Sequence, residues 1–170
     1  PQGSYLCTLT PPAGFAPVRL PVRIDSSGHW DQEVNFYRRE DVPEGFLFVP
    51  GGPFRFGGTY GGGPPEEERV SRDLFVAKFP VTAGEYLDYL NALLAAGRAD
   101  EARRAQPRTG ADPLFAESLS GFSLREGDPR AFLSRPDLPV AGISWFDGLA
   151  YCAWRSARER RFFRLLHDEE

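Results

Sequence analysis

The chain has 170 residues, room for one or two domains. With 41% apolar, 14% aromatic and 26% charged residues, its composition is globular rather than disordered, and no run approaches the roughly 20 apolar residues of a membrane helix. A net charge of −4 argues against a nucleic-acid binder that works by neutralising phosphates.

Residues 1–42 read as a small β-sandwich-like module. Residues 4–10 and 18–24 are rich in strand formers, with a turn at 11–14 between them, and Pro21 marks an edge position or a bulge. A turn at 25–28 and renewed alternation over 30–37, through Val34 and Phe36, predict a third strand. The charged stretch 38–41 and Pro43 place a boundary at 42/43.

Residues 46–49 are a compact apolar strand, 50–53 a turn and 54–57 a second strand, together a predicted hairpin. Residues 57–63 hold five glycines but lack the spacing of either phosphate-binding loop, so a surface loop is expected, ending at Pro64, Pro65 and the acidic run 66–68. Another strand is predicted over 73–79. Thr82 and Glu85 then form a capping box for a helix over 83–96, with Tyr86, Leu87, Leu90, Leu93 and Leu94 on one face and Gly97 as its stop. Residues 98–138 read as a long irregular excursion, with a short helix at 100–104 and one helical turn near 131–133. Segments of that length are uncommon unless they bind something or are stabilised locally.

Residues 139–143 approach as a strand. Ser144 and Asp147 repeat the capping-box spacing and open a helix over 145–157, with Phe146, Leu149, Ala150, Ala153 and Trp154 as its apolar face. Four Arg and a Glu over 155–161 read as a solvated helix end. Trp145, Tyr151 and Trp154 are the candidate ligand-contact residues, for their aromatic surface, although most of them are expected to be buried.

Chemistry-bearing residues are sparse. Lys78 is the only lysine among 20 basic residues, which suggests a GC-rich source genome and weakens any catalytic-lysine mechanism. Cys7 and Cys152 make neither a disulfide framework nor a four-ligand zinc site, set no redox compartment, and read as small buried hydrophobes. His29 and His167 lie in different segments, so a two-His, one-carboxylate iron site is not supported. No catalytic residue, metal ligand or cofactor site is assigned. The chain lacks Met and a signal pattern and opens within a predicted strand, so it is expected to be a piece of a longer protein.

The run from Pro139 to Trp154, followed by Arg164 and Leu165, resembles a hallmark segment of the formylglycine-generating enzyme (sulfatase-modifying factor) family. There a strand ending in Val-Ser-Trp feeds a helix containing Ala-Tyr-Cys-x-Trp, and an Arg-Leu-Pro-Thr-Glu stretch follows. Residues 48–54 with Gly57 resemble the family's opening hairpin, and residues 79–86 its Val-Thr-x-x-x-Tyr helix start. The resemblance spans about 44–170 and implies an α+β, coil-rich fold related to C-type lectins, which would account for the long middle excursion. Leu166 and His167 stand where the family usually shows Pro and Thr. The resemblance further implies that the catalytic cysteine pair and most of the metal and substrate groove lie beyond Glu170, and that Cys152 matches a structural cysteine. Calcium or copper is implied by the family only.

Gly3, Tyr5, Gly14 and Phe15 resemble the pattern of PEGA-like or carboxypeptidase-regulatory-like β modules. The combination suggests a bacterial multidomain protein, such as a Ser/Thr kinase with an appended domain of this family, or a retroelement-diversified variable binder. The expectation is a non-catalytic module that binds a protein or small molecule, with the rest of the parent polypeptide or a second chain completing the fold. It is expected not to bind nucleic acid, and this segment is expected not to insert in a membrane. The alternative is the N-terminal half of a formylglycine-generating oxidase or related non-heme iron oxygenase.

Overall fold

The computed structural model describes residues 2–24, 31–57, 67–125, 127, 129, 135–167 and 170. The predicted turn at 25–28, the glycine-rich loop beyond Gly57, the helical turn at 131–133, His29 and Trp30 all lie outside the described residues. The chain is mixed α and β and forms two compact units, one running up to Phe79 and the other spanning Pro80–His167. None of the described helices is long and apolar enough to cross a membrane.

In the first unit β1 (Gly3–Leu9) pairs antiparallel with β2 (Val18–Ile24). Val18, Leu20 and Val22 are buried while Arg19, Pro21 and Arg23 face outward, the period of two that a half-buried strand requires. Pro21 faces Leu6 in an unbroken register, so it sits on an edge strand without a bulge. The third predicted strand does not form. Residues 31–37 join no ladder, and Arg38 alone bridges to Phe15, beside an Ala16 N–H to Tyr37 carbonyl bond of 2.9 Å. The side chains of this segment bond to the hairpin described next, so its polar groups are used across the unit rather than in a ladder. The described residues of 1–42 therefore form a two-stranded ribbon, not a sandwich.

The predicted 46–57 hairpin is also corrected. β3 (Phe46–Val49) pairs with β6 (Leu74–Ala77), and β4 (Gly52–Phe56) pairs with β5 (Glu67–Ser71). Val49 faces Leu74 and Gly52 faces Ser71, so both ladders share one register and make a single long antiparallel arm pair. Pro50 and Gly51 interrupt one arm instead of reversing the chain. Proline supplies no N–H to a ladder. Gly51 is pressed against the other arm: a Cβ there would lie 2.6 Å from the Ser71 carbonyl oxygen. Strand β5 was not expected, because its charged residues are poor strand formers. Tyr37 packs edge-on against Phe48 and Phe75, with ring centroids 4.8 and 5.1 Å away.

The second unit holds α1 (Ala83–Ala95), α2 (Ala99–Arg104) and α3 (Trp145–Glu159). The Thr82–Glu85 capping box forms as expected: Glu85 N–H donates to Thr82 Oγ1 (3.2 Å), and Thr82 N–H donates to the Glu85 carboxylate (2.8 Å). At the other end Gly97 N–H bonds the Leu94 carbonyl and Arg98 N–H the Leu93 carbonyl, the two bonds of a Schellman stop. Ala83, Tyr86, Tyr89, Leu90 and Leu93 are buried, and Leu87 and Leu94 pack partly against the same core. The Tyr86 hydroxyl donates to the Ala105 carbonyl at 2.9 Å, satisfying its one polar atom inside that core.

The excursion after α2 is more regular than expected. β7 (Arg108–Thr109) pairs with β8 (Asp112–Pro113), and β9 (Phe115–Ser118) with β10 (Gly121–Leu124). Phe115 and Phe122 are buried against α1, and Asn91 from α1 clamps β10 by accepting from Phe122 N–H (2.8 Å) and donating to its carbonyl (3.1 Å). Residues 139–143 form no strand. They make one bridge, Pro139 to Thr82, with Val140 N–H bonded to the Val81 carbonyl at 2.9 Å.

Candidate binding surface

The approach to α3 is built around Gly142. Its φ is +74°, its carbonyl accepts the Arg108 N–H at 2.8 Å, and a Cβ would lie 2.2 Å from the Arg108 carbonyl oxygen. Only glycine fits both the left-handed backbone and the contact. This delivers Ser144 to the N-cap: its Oγ accepts from Asp147 N–H (3.2 Å), and its own N–H donates to the Asp147 carboxylate (2.9 Å). Both ends of the box are satisfied, so the first turn of α3 is fixed.

The face of α3 turned to the core is not the predicted one. Gly148 and Tyr151 are buried and Trp154 is partly buried, whereas Phe146, Leu149, Ala150 and Ala153 are exposed. Tyr151 is 5% exposed, stacks on Tyr86 at 5.6 Å, and meets Tyr89 edge-on at 5.7 Å. Trp154 lies 5.4 Å from Tyr89 and 5.6 Å from Tyr151. Burial pushes the Tyr151 phenol up to about 12, with Arg155 opposing, and the Tyr86 phenol higher still. Tyr151 is a core residue and presents no aromatic surface to a partner.

Trp145 and Phe146 do the opposite. They are 63% and 75% exposed, in edge-to-face contact at 5.2 Å, with Leu149 (36%) one turn further on. Of the three aromatic candidates, Trp145 faces out, Trp154 lies at the margin and Tyr151 supports from within.

The chain beyond α3 folds back along it. Arg160 ends the helix in the left-handed region (φ 52°), and Arg161 N–H bonds the Ser156 carbonyl. Ser156 Oγ donates to the Cys152 carbonyl (2.7 Å) and accepts from Phe163 N–H (2.9 Å). Leu165 packs at the Gly148 position, where an added Cβ would touch it at 3.4 Å. Cys152 lies under this return, partly buried. Burial raises its thiol above the ordinary value against a lowering influence from Arg155, so the thiolate is disfavoured there. Cys7 is likewise a free thiol.

The first unit contains a polar centre that the sequence did not single out. Asp73 accepts from Gly51 N–H (2.7 Å), Asn35 Nδ2 (2.9 Å) and the Tyr37 hydroxyl (2.8 Å), and Gln32 Nε2 donates to the Gly51 carbonyl (2.5 Å). Burial pushes the Asp73 carboxyl up, but the three donors outweigh it and hold it below its ordinary value. The Tyr37 phenol is raised, first by its bond to Asp73 and then by burial. Gln32, Asn35 and Asp73 line an open cleft with Asp31, Ser71 and Arg72. Their spacing in sequence carries no signal, because Asn35, Gly51 and Asp73 meet only through the long hairpin.

Among the described residues no three His, Cys, Asp or Glu side chains converge. The described residues therefore offer no ligand set for calcium or copper.

Comparison with curated proteins returned no match. A family profile described as the Sulfatase-modifying factor enzyme 1-like domain matches residues 32–170. That match starts ahead of the boundary expected at 42/43 and takes in Gln32, Asn35 and Tyr37, the residues that bind the interrupted hairpin. With the capped helix pair, the return after α3 and the arm pair all inside the matched span, this chain belongs to the sulfatase-modifying factor enzyme 1-like domain family.

Proposed function

We propose that this chain works as a non-catalytic ligand- or protein-binding module on a sulfatase-modifying-factor scaffold, with Trp145 and Phe146 as its first contact residues. The observation that supports this reading is an exposed aromatic pair held on the first turn of a helix whose other face is locked into an aromatic core. Leaving such side chains in water forgoes about 1.5–3 kcal/mol each of burial free energy. Aromatic anchors on rigid elements are the side chains that dominate binding energy when a partner covers them. Leu149 extends the pair into a patch.

Family membership supports a second reading, an oxidase that converts a substrate cysteine to formylglycine. The Cys152 thiol suits a packing role better than a sulfur-redox role, because burial disfavours its reactive thiolate.

One experiment separates the two. Peptides selected against the folded chain from a random display library are measured against wild type, Trp145→Ala and Phe146→Ala, with melting curves alongside. The binding reading expects at least a tenfold loss of affinity in both variants and unchanged melting. Selected peptides indifferent to both substitutions would overturn it. Appearance of aldehyde in a cysteine-containing peptide incubated with the chain would put the oxidase reading in its place.

A further inference from the structure

We infer that the basic end of α3 and the turn after it, formed by Arg158, Arg160, Arg161 and Phe162, dock an acidic segment of a partner protein. The surface is separate from the Trp145 patch: α3 has 15 residues, which puts its two ends about 20 Å apart. The inference stands on its own observations and goes beyond the reading above.

Charge comes first. Residues 155–164 hold five Arg and one Glu, in a chain whose net charge is −4. The Glu is already used, since Glu159 accepts from Arg155 Nε at 2.8 Å. Arg158, Arg160 and Arg161 make no ion pair among the described residues, and Arg158 lies over the Trp154 ring at 5.1 Å. The carbonyl end of a helix is offset by about half a unit charge. Three cations exceed that need several-fold.

Backbone geometry comes second. Arg160 is the single non-glycine residue with a left-handed φ among the described residues. That conformation suits glycine at a helix end, and its cost to an L side chain is characteristic of sites under functional constraint. Here it puts a guanidinium at the apex of the reversal.

The two phenylalanines then divide by environment. Phe163 turns inward, its N–H on Ser156 Oγ and its ring under Arg155 at 4.8 Å, which anchors the return. Phe162 is 81% exposed beside the cations. Arginine forks match carboxylates in a bidentate manner, and arginine with aromatics is the composition enriched at protein interfaces. A nucleic-acid backbone fits less well, because its affinity rests on many phosphate contacts along a basic surface, and the chain as a whole is acidic.

The test uses the whole chain and a fluorescein-labelled octaglutamate peptide, read by anisotropy at low salt. Oligothymidylate and phosphatidylserine vesicles are run in parallel. Replacing both cations, Arg160→Gly with Arg161→Ser, is expected to weaken peptide binding about tenfold, with the difference shrinking as salt is raised. Arg104→Ser, an exposed arginine elsewhere, is expected to leave it unchanged. Phe162→Ser is expected to weaken a glutamate-rich peptide carrying a central tryptophan more than octaglutamate itself. Because Arg160→Gly relieves the backbone, the double variant keeps its fold, which circular dichroism checks. No peptide binding by wild type, an equal loss with Arg104→Ser, or tighter binding to oligothymidylate or vesicles than to the peptide would each overturn the inference.

Discussion

Removing the Asp73 carboxylate should open the long hairpin locally while leaving the second unit intact. Asp73 takes three donors across the break at Pro50 and Gly51. The bonds from Gly51 N–H and the Tyr37 hydroxyl are part-buried, and the one from Asn35 is exposed. A hydrogen bond to a charged acceptor contributes about 1.5 kcal/mol at the low end, and an exposed one adds little. Water reaches the vacated site and recovers part of that, so Asp73→Ala should cost about 2 kcal/mol, or roughly thirtyfold in the opening equilibrium. Hydrogen exchange resolved by mass spectrometry is the assay, with residues 46–56 as reporter and α1 as internal control. Exchange in the reporter should quicken about thirtyfold and exchange in α1 should not change. Acid supplies a second reading of the same group. The folded carboxyl lies below its unfolded value, so its contribution is complete above about pH 4 and is lost as pH falls through the folded value. Asp73→Asn should abolish that acid limb in residues 46–56, after correction for intrinsic exchange. Unchanged exchange at 46–56, or equal acceleration in α1, would refute the assignment of Asp73 as a local clasp.

The remaining predictions bear on the same elements. Gly51→Ala should destabilise the hairpin by more than Asp73→Ala, since its Cβ would meet backbone atoms of Ser71, Arg72 and Asp73 within 2.8 Å; the same exchange measurement checks it. Tyr151→Ala should cost about 3–5 kcal/mol in urea melts, and Phe146→Ala on the exposed face less than about 0.5 kcal/mol. Arg160→Gly should stabilise by about 0.5–1 kcal/mol, seen as a small rise in Tm, because glycine takes the left-handed turn without strain. In alkali the buried Tyr151 phenol, raised to about 12, should contribute stability in full below about pH 10 and lose it as pH climbs to about 12. Absorbance of tyrosinate followed with unfolding should show Tyr151 ionising later than exposed tyrosines.

Features set within four or five residues were legible in the sequence alone. Both capping boxes, Thr82 with Glu85 and Ser144 with Asp147, are read from spacing because cap and partner lie one helical turn apart. Gly97 stops α1 for an equally local reason, and the segments of β1, β2 and β3 follow from β-forming composition. The family was also legible, since its signature is carried by those same local segments. Tertiary structure decided what depends on residues far apart. Nothing near Phe46–Val49 says that its partner is Leu74–Ala77, and a Pro-Gly-Gly-Pro sequence reads as a reversal until the opposite arm is in place. In helix α3 the apolar face read from the sequence, with Phe146, Leu149, Ala150 and Ala153, is largely not the one that packs. Tyr151 packs against the Tyr86 and Tyr89 rings, and Trp145, Phe146 and Leu149 are left in water. The Asp73 clasp arose likewise, assembled from residues 22 to 38 positions apart that no local pattern connects, whereas the basic run after Trp154 was legible and only the left-handed turn at Arg160 was not.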